Sequence, residues 1–419
     1  MSGPEDGKRF IIDGKEPREV VFPTSIEQVS EALRSAGERK LAVAPVGLGA
    51  FLHLGGSPRR YDMALCLEQL NNIADYQPTD MTITVEAGMS LSQLQAVLGE
   101  NGQWLPLDPP NPEQVTVGGL IAANLNGPSR LSQGTIRDFL IGLKVVRPDG
   151  SVVKGGGRVV KNVAGYDLAK LYCGSLGTLG VIVEATFMIR PRPEDQAVLM
   201  LRFPSVDTAM QVALEKVYAE LQPFFLELTN FDPLQKSTGG FWLFVGLAGI
   251  PEDVDYQRQR LRMLENDTDS SIEEITGEVV QNLAVALRDF PVTGEAGLRC
   301  KTSLLPDQVA EFCTRVEEEV GLRGMSVQLQ ARAGNGIVYS RFIRPDDMPP
   351  GKLLSLLDWL RIQTKRMNGY TVVEEVEPSL KDRVDVWGHV GATFPLMKKL
   401  KETFDPNELL NPGRFVGGL

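Results

Sequence analysis

The chain has 419 residues, 42% of them hydrophobic, and a net charge of −11 at neutral pH. This length is typical of two domains, each with enough apolar residues for a core of its own. The acidic balance excludes a general nucleic-acid binder, because phosphate backbones require a basic surface. No apolar run is long enough to span a bilayer, and residues 1–15 lack the apolar stretch of a secretory signal. We expect a cytoplasmic protein whose membrane association, if any, goes through partners.

The four cysteines are far apart in the sequence, at positions 66, 173, 300 and 313. With no Cys-x-x-Cys pair, they suit neither an iron–sulfur cluster nor a zinc site. Their low density also argues against a disulfide framework. We therefore expect reduced, mostly buried thiols and no metal site.

The first 190 residues alternate apolar runs with short turns. The stretch Thr24-Ser25-Ile26-Glu27 predicts a capping box, with Thr24 as the N-cap of a helix and Glu27 reaching back to it. A strand is expected to end at Pro45. Apolar alternation and flanking turn residues predict strands at 41–44, 65–67, 81–86, 139–147 and 181–189, and a helix at 90–98.

Pro191 and Pro193 mark the first domain boundary. Gly334-Asn335-Gly336 predicts a hairpin turn further along. The pattern beyond the boundary favours an α+β domain with an antiparallel sheet and helices on one face. Its strands are predicted at 198–203, 224–229, 241–247, 298–304, 326–332, 337–342 and 371–376, and its helices at 206–221, 252–264, 279–287, 306–320 and 353–366.

Three glycine-bearing segments punctuate the first part of the chain. They are Pro45-Val46-Gly47-Leu48-Gly49-Ala50, then Thr116-Val117-Gly118-Gly119, then Gly174-Ser175-Leu176-Gly177-Thr178-Leu179-Gly180. Glycine turns let main-chain N–H groups approach a large anionic ligand, because no Cβ stands in the way. Each segment alone is equally compatible with a structural turn. The first is not a Rossmann fingerprint, since the third glycine and the following amphipathic helix are missing.

The order and separation of these segments resemble the flavin domain of the FAD-linked oxidases, the family of vanillyl-alcohol oxidase and the D-2-hydroxyacid dehydrogenases. The stretches at 160–168 and 400–415 look like signatures of glycolate oxidase flavin subunits. Within that group the chain is most similar to the smaller FAD-binding subunit, the GlcE type, over residues 20–190 and 395–416. The resemblance implies a two-part FAD-binding domain of the PCMH type, residues 1–192 with a returning segment at 381–419. An α+β, ferredoxin-like cap domain is implied at 193–380.

The resemblance also assigns cofactor-binding residues by family position. The backbone amides of the first segment would hold the FAD pyrophosphate, and the remaining positions would line the flavin ring and the adenosine half. The assigned residues are Val46, Gly47, Leu48, Gly49, Ala50, Pro106, Thr116, Gly118, Gly119, Asn124, Gly134, Gly177, Thr178, Gly180, Val181 and Asn411. Relatives that tether FAD covalently carry a histidine where this chain has Ala50, so the resemblance implies non-covalent FAD. The first loop also lacks the arginine and threonine that the family usually carries there.

Oxidation of a 2-hydroxy acid requires a base for the hydroxyl proton and cations for the carboxylate. The chain has two histidines, of which His389 is the candidate base, and a surface role for His389 stays open. Arg332, Arg341 and Arg344 are candidates for holding a carboxylate or, alternatively, solvent-facing charges of a hairpin. The resemblance implies a glycolate dehydrogenase complex with a larger FAD subunit and an iron–sulfur subunit. A stand-alone FAD oxidoreductase of another hydroxy acid or alcohol, and a non-catalytic structural subunit, are the alternatives.

Overall fold

The computed structural model describes residues 7–157, 168–235, 239–264 and 271–419. The predicted family signature at 160–168 falls outside these residues except for Leu168. Across the described residues no helix is both long and apolar enough to cross a bilayer.

The described chain contains both strands and helices throughout its length. The strands are β1 (Glu19–Val21), β2 (Val43–Val46), β3 (Met63–Cys66), β4 (Ile73–Gln77), β5 (Thr82–Glu86), β6 (Gln103–Trp104), β7 (Leu140–Val146), β8 (Val152–Gly156), β9 (Val181–Met188), β10 (Arg190–Pro191), β11 (Asp195–Phe203), β12 (Phe225–Thr229), β13 (Phe241–Gly249), β14 (Ser271–Ile275), β15 (Leu298–Ser303), β16 (Ser326–Arg332), β17 (Ile337–Ile343) and β18 (Tyr370–Val376). The α-helices are α1 (Ile26–Glu38), α2 (Leu91–Gly99), α3 (Val117–Ala123), α4 (Arg130–Gln133), α5 (Ile136–Phe139), α6 (Leu168–Tyr172), α7 (Val206–Val212), α8 (Pro251–Met263), α9 (Glu278–Asp289), α10 (Val309–Leu322), α11 (Gly351–Arg366), α12 (Pro378–Lys381) and α13 (Phe394–Phe404).

The chain divides into two compact units. The first contains residues 1–125, 135–192 and 381–419, and the second contains residues 126–134 and 193–380. The C-terminal segment thus groups with the N-terminal part of the chain. Residues 126–134, which the sequence places in the first domain, group with the second unit instead.

The first unit contains two principal sheets. A five-stranded antiparallel sheet has the order β4-β5-β9-β7-β8, and a three-stranded parallel sheet has the order β1-β3-β2. The parallel sheet packs under α1, whose buried side chains include Val29 and Leu33. The N-cap of α1 is Ser25, whose Oγ accepts from the N–H of Gln28, so the predicted cap at Thr24 is wrong by one residue. The spacing of Ser25 and Gln28 satisfies the same capping rule one position later.

The second unit is built on one eight-stranded antiparallel sheet. Its strand order is β14-β11-β13-β12-β16-β17-β15-β18. The hairpin predicted at Gly334-Asn335-Gly336 joins β16 to β17, with Arg332 opposite Ile337. This architecture confirms the α+β class and the antiparallel sheet.

Three local predictions are corrected by the structure. Strand β2 continues through Pro45 to Val46, because a parallel edge position does not require the missing proline N–H. The edge strand β14 was not predicted, since only Ile275 of its five residues is buried. Thr116-Val117-Gly118-Gly119, predicted as a turn, begins helix α3, with Thr116 as its N-cap.

Candidate functional site

The three glycine-bearing segments meet around one cavity in the first unit. The cavity encloses about 860 Å³ of space, part of it open to solvent. A Cβ on Gly47 would lie 2.7 Å from Cγ2 of Thr116, so the first and second segments touch. A Cβ on Gly177 would lie 3.3 Å from Cγ of Pro45 and 3.4 Å from Nδ2 of Asn411. The absence of side chains at these glycines lets four separate segments close on the same space.

Most of the predicted cofactor residues line this cavity. The lining also contains apolar side chains that the sequence did not assign, such as Phe51, Leu67 and Ile182, and the polar Gln114 and Arg414. The predicted residues in the lining are Val46, Gly47, Leu48, Gly49, Ala50, Thr116, Gly118, Gly119, Gly177, Gly180 and Asn411.

The first segment and the residue that follows it, Phe51, supply backbone N–H groups without an acceptor in the protein. Within the described chain, the N–H groups of Leu48, Gly49, Ala50 and Phe51 donate to no other residue. Gly49 has φ of +86°, a conformation that favours glycine and redirects the loop. Successive free amides in such a bend form a concave donor surface suited to phosphate oxygens.

The second segment contributes close approach rather than donors. The N–H of Gly118 donates to the carbonyl of Ala87 at 2.7 Å, and the N–H of Gly119 donates to Oγ1 of Thr116 at 3.2 Å. Both amides are therefore already used within the protein. Gly118 is buried and Gly119 is exposed to the cavity. The two glycines thus have different tasks, one in packing and one in leaving space for a ligand.

The C-terminal segment brings Asn411 to the cavity. Its backbone N–H donates to the carbonyl of Val43 at 2.9 Å, and its Nδ2 donates to the carbonyl of Leu176 at 2.7 Å. Its Oδ1 is buried and has no hydrogen-bond partner. A buried acceptor without a donor is destabilising, so this atom fits a donor group of a bound molecule.

A buried ion pair holds this segment in place. Nζ of Lys401 donates to Oδ2 of Asp405 at 2.6 Å, to the carbonyl of Thr178 at 2.8 Å and to that of Leu410 at 2.9 Å. Burial lowers the pKa of Lys401, while Asp405 opposes that shift. Thr178 therefore acts as an anchor for the lysine, and the ion pair fixes the backbone that leads directly into Asn411.

Comparisons with known proteins identify the family of this chain. Residues 17–156 match a family described as FAD binding domain, and residues 389–415 match FAD linked oxidases, C-terminal domain. The glycolate oxidase subunit GlcD of Bacillus subtilis (strain 168) is 32% identical over 424 residues, which cover 95% of this chain and 88% of that protein. The chain belongs to the FAD-linked oxidase family. It is accordingly an FAD-dependent oxidoreductase.

Other relatives of this FAD-linked oxidase differ in extent and in the activity they are named for. The mitochondrial D-lactate dehydrogenase [cytochrome] of Arabidopsis thaliana is 26% identical over 96% of this chain and 73% of that protein. A solved structure of alkyldihydroxyacetonephosphate synthase superposes with a TM-score of 0.71 at 17% identity, covering 94% of this chain and 75% of that one. This likeness supports the predicted fold.

The finer resemblance to the smaller glycolate oxidase subunit is corrected by the same comparisons. GlcE of Escherichia coli (strain K12) is 36% identical over only 172 residues, covering 41% of this chain and 47% of that protein. The match to the larger subunit type, GlcD, extends over nearly the whole chain. The predicted similarity to glycolate oxidase flavin subunits is thus confirmed, with GlcD rather than GlcE as the type matched along the chain.

The cavity of this FAD-linked oxidase fits the cofactor. The free loop amides suit the diphosphate, the exposed face of Gly119 leaves room for a ring system, and Oδ1 of Asn411 can accept a hydrogen bond. Ala50 and Phe51 line the cavity, and neither side chain can form a covalent bond to a flavin. Non-covalent FAD, as the sequence predicts, is compatible with this lining.

Five of the predicted cofactor residues are described by the structure but do not line the cavity. Asn124 caps the end of α3 in a left-handed conformation with φ of +51°, and Val181 begins β9 within the core. Thr178 is buried, and its Oγ1 donates to the carbonyl of Ser175 at 2.7 Å. Pro106 is also buried. Gly134 ends α4 with φ of +92° and belongs to the second unit.

The candidate base His389 is exposed, and the lining formed by described residues does not include it. The second histidine, His53, has its ring 5.9 Å from that of Phe51, and its carbonyl accepts from Nζ of Lys381 at 2.7 Å. The catalytic role of His389 stays a prediction.

The three candidate arginines lie in the second unit, and none is a simple solvent-facing charge. Arg332 is 2% exposed; its Nη2 donates to the carbonyl of Asn126 at 2.9 Å, and its Nε lies 3.7 Å from Oε1 of Glu227. Arg341 is half-buried, and this burial lowers its pKa to about 10. Arg344 is ion-paired to Glu377 at 2.7 Å. Arg332 and Arg344 are thus paired within the protein, and the carboxylate role of all three arginines stays a prediction.

All four cysteines are free thiols. Cys66, Cys300 and Cys313 are buried, and Cys173 is half-buried, which confirms the predicted burial of most thiols. Burial raises the pKa of Cys66 and of Cys173 to about 11. In the described part of the chain, no group of three or more His, Cys, Asp or Glu side chains could hold a metal ion.

Proposed function

We propose that this protein is an FAD-binding subunit that oxidises a small 2-hydroxy acid and passes the electrons to partner subunits. The substrate that we propose first is glycolate, which would be oxidised to glyoxylate. The observation that carries this proposal is the cavity at which loop amides, Gly119, Asn411 and Arg414 meet. The residues that line this cavity suit a cofactor with a diphosphate and a ring system better than a small metabolite. Bound FAD would supply the two-electron acceptor for the α-carbon hydrogen.

The cavity residues would bind and orient rather than react. The amides of residues 48–51 would hold the diphosphate oxygens. Gly119 would leave the ring plane unobstructed, and Oδ1 of Asn411 would accept a donor of the cofactor. The buried ion pair of Lys401 and Asp405 would hold Asn411 in its position at the cavity. These contacts are the preorganised positioning that such a reaction needs.

A polar face of the second unit supports a carboxylate substrate. Lys301 on β15 lies opposite Tyr339 on β17. The Lys301 ammonium and the Arg332 guanidinium lie 5.8 Å and 4.9 Å from the centre of the Tyr339 ring. Cations beside a phenol can hold a carboxylate and donate to it. The relatives named for glycolate, lactate and hydroxyglutarate all concern acids with this shared group.

Assembly with a partner flavin subunit and an iron–sulfur subunit is part of the proposal. The similarity to two glycolate oxidase subunits supports it. A stand-alone dehydrogenase of another 2-hydroxy acid is the second candidate, because the Arabidopsis D-lactate dehydrogenase matches 96% of the chain.

Anaerobic titration of the purified flavoprotein separates these possibilities. Glycolate, D-lactate and D-2-hydroxyglutarate are added in turn, and loss of the visible flavin band is recorded with and without co-purified partners. L-lactate and acetate serve as controls that lack the stereochemistry or the hydroxyl. Bleaching by glycolate supports the proposal, and bleaching by D-lactate alone supports the second candidate. Retention of the full flavin band with every acid, in the presence of all partners, contradicts hydroxy-acid oxidation and favours a structural subunit.

A further inference from the structure

We propose that Arg414 is the fixed positive charge that this cavity presents to the diphosphate of FAD. The inference depends on FAD binding in the cavity and not on which hydroxy acid is oxidised. The first loop, Val46 to Ala50, contains no cationic side chain of its own. The charge comes instead from the C-terminal segment, more than 360 residues away along the chain.

Arg414 differs from every other described residue of the cavity lining. It is the only one of them with an ionisable side chain. Gln114, Thr116 and Asn411 contribute neutral polar groups, and the rest are apolar residues or glycines. A dianionic diphosphate in such a lining therefore has one formal positive charge available to it.

The Arg414 guanidinium is buried without a carboxylate. The residue is 4% exposed, and no described carboxylate lies within ion-pair distance of it. Asp13 acts on it electrostatically, but Oδ1 of Asp13 lies 3.8 Å from Nζ of Lys381. Burial lowers the pKa of Arg414 only to about 10, so the side chain stays charged at neutral pH. A buried charge is costly unless it is paired, which points to an anionic ligand.

The remaining bonds of Arg414 hold it beside the donor loop. Its Nη2 donates to the carbonyl of Leu52 at 2.7 Å and also to that of Leu54, while its buried Nε has no partner. Leu52 directly follows the loop residues whose amides are free. The cation and the free amides thus belong to one neighbourhood, and charge-assisted bonds to phosphate from both are stronger than neutral ones.

The backbone of Arg414 is also clamped. Its carbonyl accepts from the N–H of Gly56 at 2.9 Å and from Nε1 of Trp387 at 3.1 Å. Its own N–H donates to the carbonyl of Asn411 at 3.3 Å. Because the main chain is held from three directions, the guanidinium is positioned before any ligand arrives.

The test compares three probes on the apo-protein. Affinities for FAD, ADP and riboflavin are measured by calorimetry for the wild type, Arg414→Lys and Arg414→Gln. ADP carries the diphosphate without the flavin, and riboflavin carries the flavin without the diphosphate. Loss of one charge-assisted contact corresponds to about ten- to hundredfold weaker binding. We expect this loss for FAD and ADP in Arg414→Gln, partial recovery in Arg414→Lys, and riboflavin affinity within about twofold of wild type. The FAD affinity of Arg414→Gln should also depend less steeply on salt.

Arg59→Gln is the matched control. It removes the same charge from an exposed side chain that is ion-paired to Glu408 and lies outside the cavity lining, so ADP affinity should stay near that of the wild type. Unchanged ADP and FAD affinity in Arg414→Gln overturns the proposal. An equal loss of riboflavin and ADP affinity also overturns it, because that result means Arg414 only shapes the loop. Failure of the wild-type apo-protein to bind FAD at all would instead overturn the cofactor assignment.

Discussion

Substituting the two neighbouring glycines of α3 separates ligand space from packing. A Cβ on Gly119 would meet only Oγ1 of Thr116, at 3.2 Å, within a 4 Å radius. A Cβ on Gly118 would lie 3.0 Å from Cβ of Ala87 and 3.1 Å from its carbonyl oxygen. The sequence predicts that valine at either position abolishes FAD binding by filling the ligand's space. From these surroundings we expect valine at Gly119 to extend into the ligand's space and valine at Gly118 to clash first with Ala87.

The magnitudes follow from these surroundings. In helix α3, replacing Gly119 by valine changes helix propensity by only a few tenths of a kcal/mol, so apo-protein stability should stay within about 1 kcal/mol. Overpacking typically costs about 1–3 kcal/mol. In Gly119→Val this free-energy cost should weaken FAD binding, by about five- to 150-fold. In Gly118→Val a cost of the same size should lower the free energy of unfolding, because the valine side chain clashes with Ala87.

The assay pairs flavin content with stability. Calorimetric FAD affinity and the flavin-to-protein ratio are measured for both variants and for Gly119→Ala, and apo-protein unfolding is followed in urea. Gly119→Ala should lie between wild type and Gly119→Val. Wild-type FAD affinity in Gly119→Val would refute the placement of the flavin cavity. Equal destabilisation of the two apo-variants would refute the distinction between the glycines.

Two further predictions concern buried ionisable groups. Lys401→Met leaves the carboxylate of Asp405 buried without its cation and should lower the free energy of unfolding by about 3–5 kcal/mol in urea titrations. The double variant Lys401→Met/Asp405→Asn should recover part of this loss. A loss below about 1 kcal/mol in Lys401→Met would show that the ion pair does not stabilise the fold. Because burial raises the pKa of Cys66 and Cys173 from 9.0 to about 11, their thiolate fraction at pH 8 should be about a hundredfold below that of an unperturbed thiol, and a thiol reagent should modify them correspondingly slowly in the folded protein. The unfolded chain releases these protons first, so the two thiols should lower the unfolding free energy as pH rises from 9 to 11. Replacing both cysteines by alanine should remove this contribution, and an identical pH profile in the double variant would contradict the burial of both thiols.

Much of the fold follows from local patterns. Apolar alternation and turn residues predict nearly all strands of the eight-stranded sheet, and the Gly-Asn-Gly hairpin is where the sequence places it. These features depend on residues that are neighbours in the chain. The unpredicted β14 lacks such a signal, because its outer position leaves most of its side chains unburied. The N-cap of α1 is displaced by one residue for a related reason, since Thr24 and Ser25 are both competent caps.

The sequence by itself determined the order of three glycine-bearing segments and a C-terminal segment, and the resemblance of that order to the FAD-linked oxidases implied a flavin site. Glycines at such turns leave room for a large anionic ligand. Only the tertiary structure decided which donors remain available. The amides of residues 48–51 are free, whereas those of Gly118 and Gly119 are used. It also decided that Thr178 anchors Lys401 and that Arg414 is buried without a carboxylate at the cavity. Hydrogen-bond partners and burial come from residues distant in the chain, and no local pattern records them.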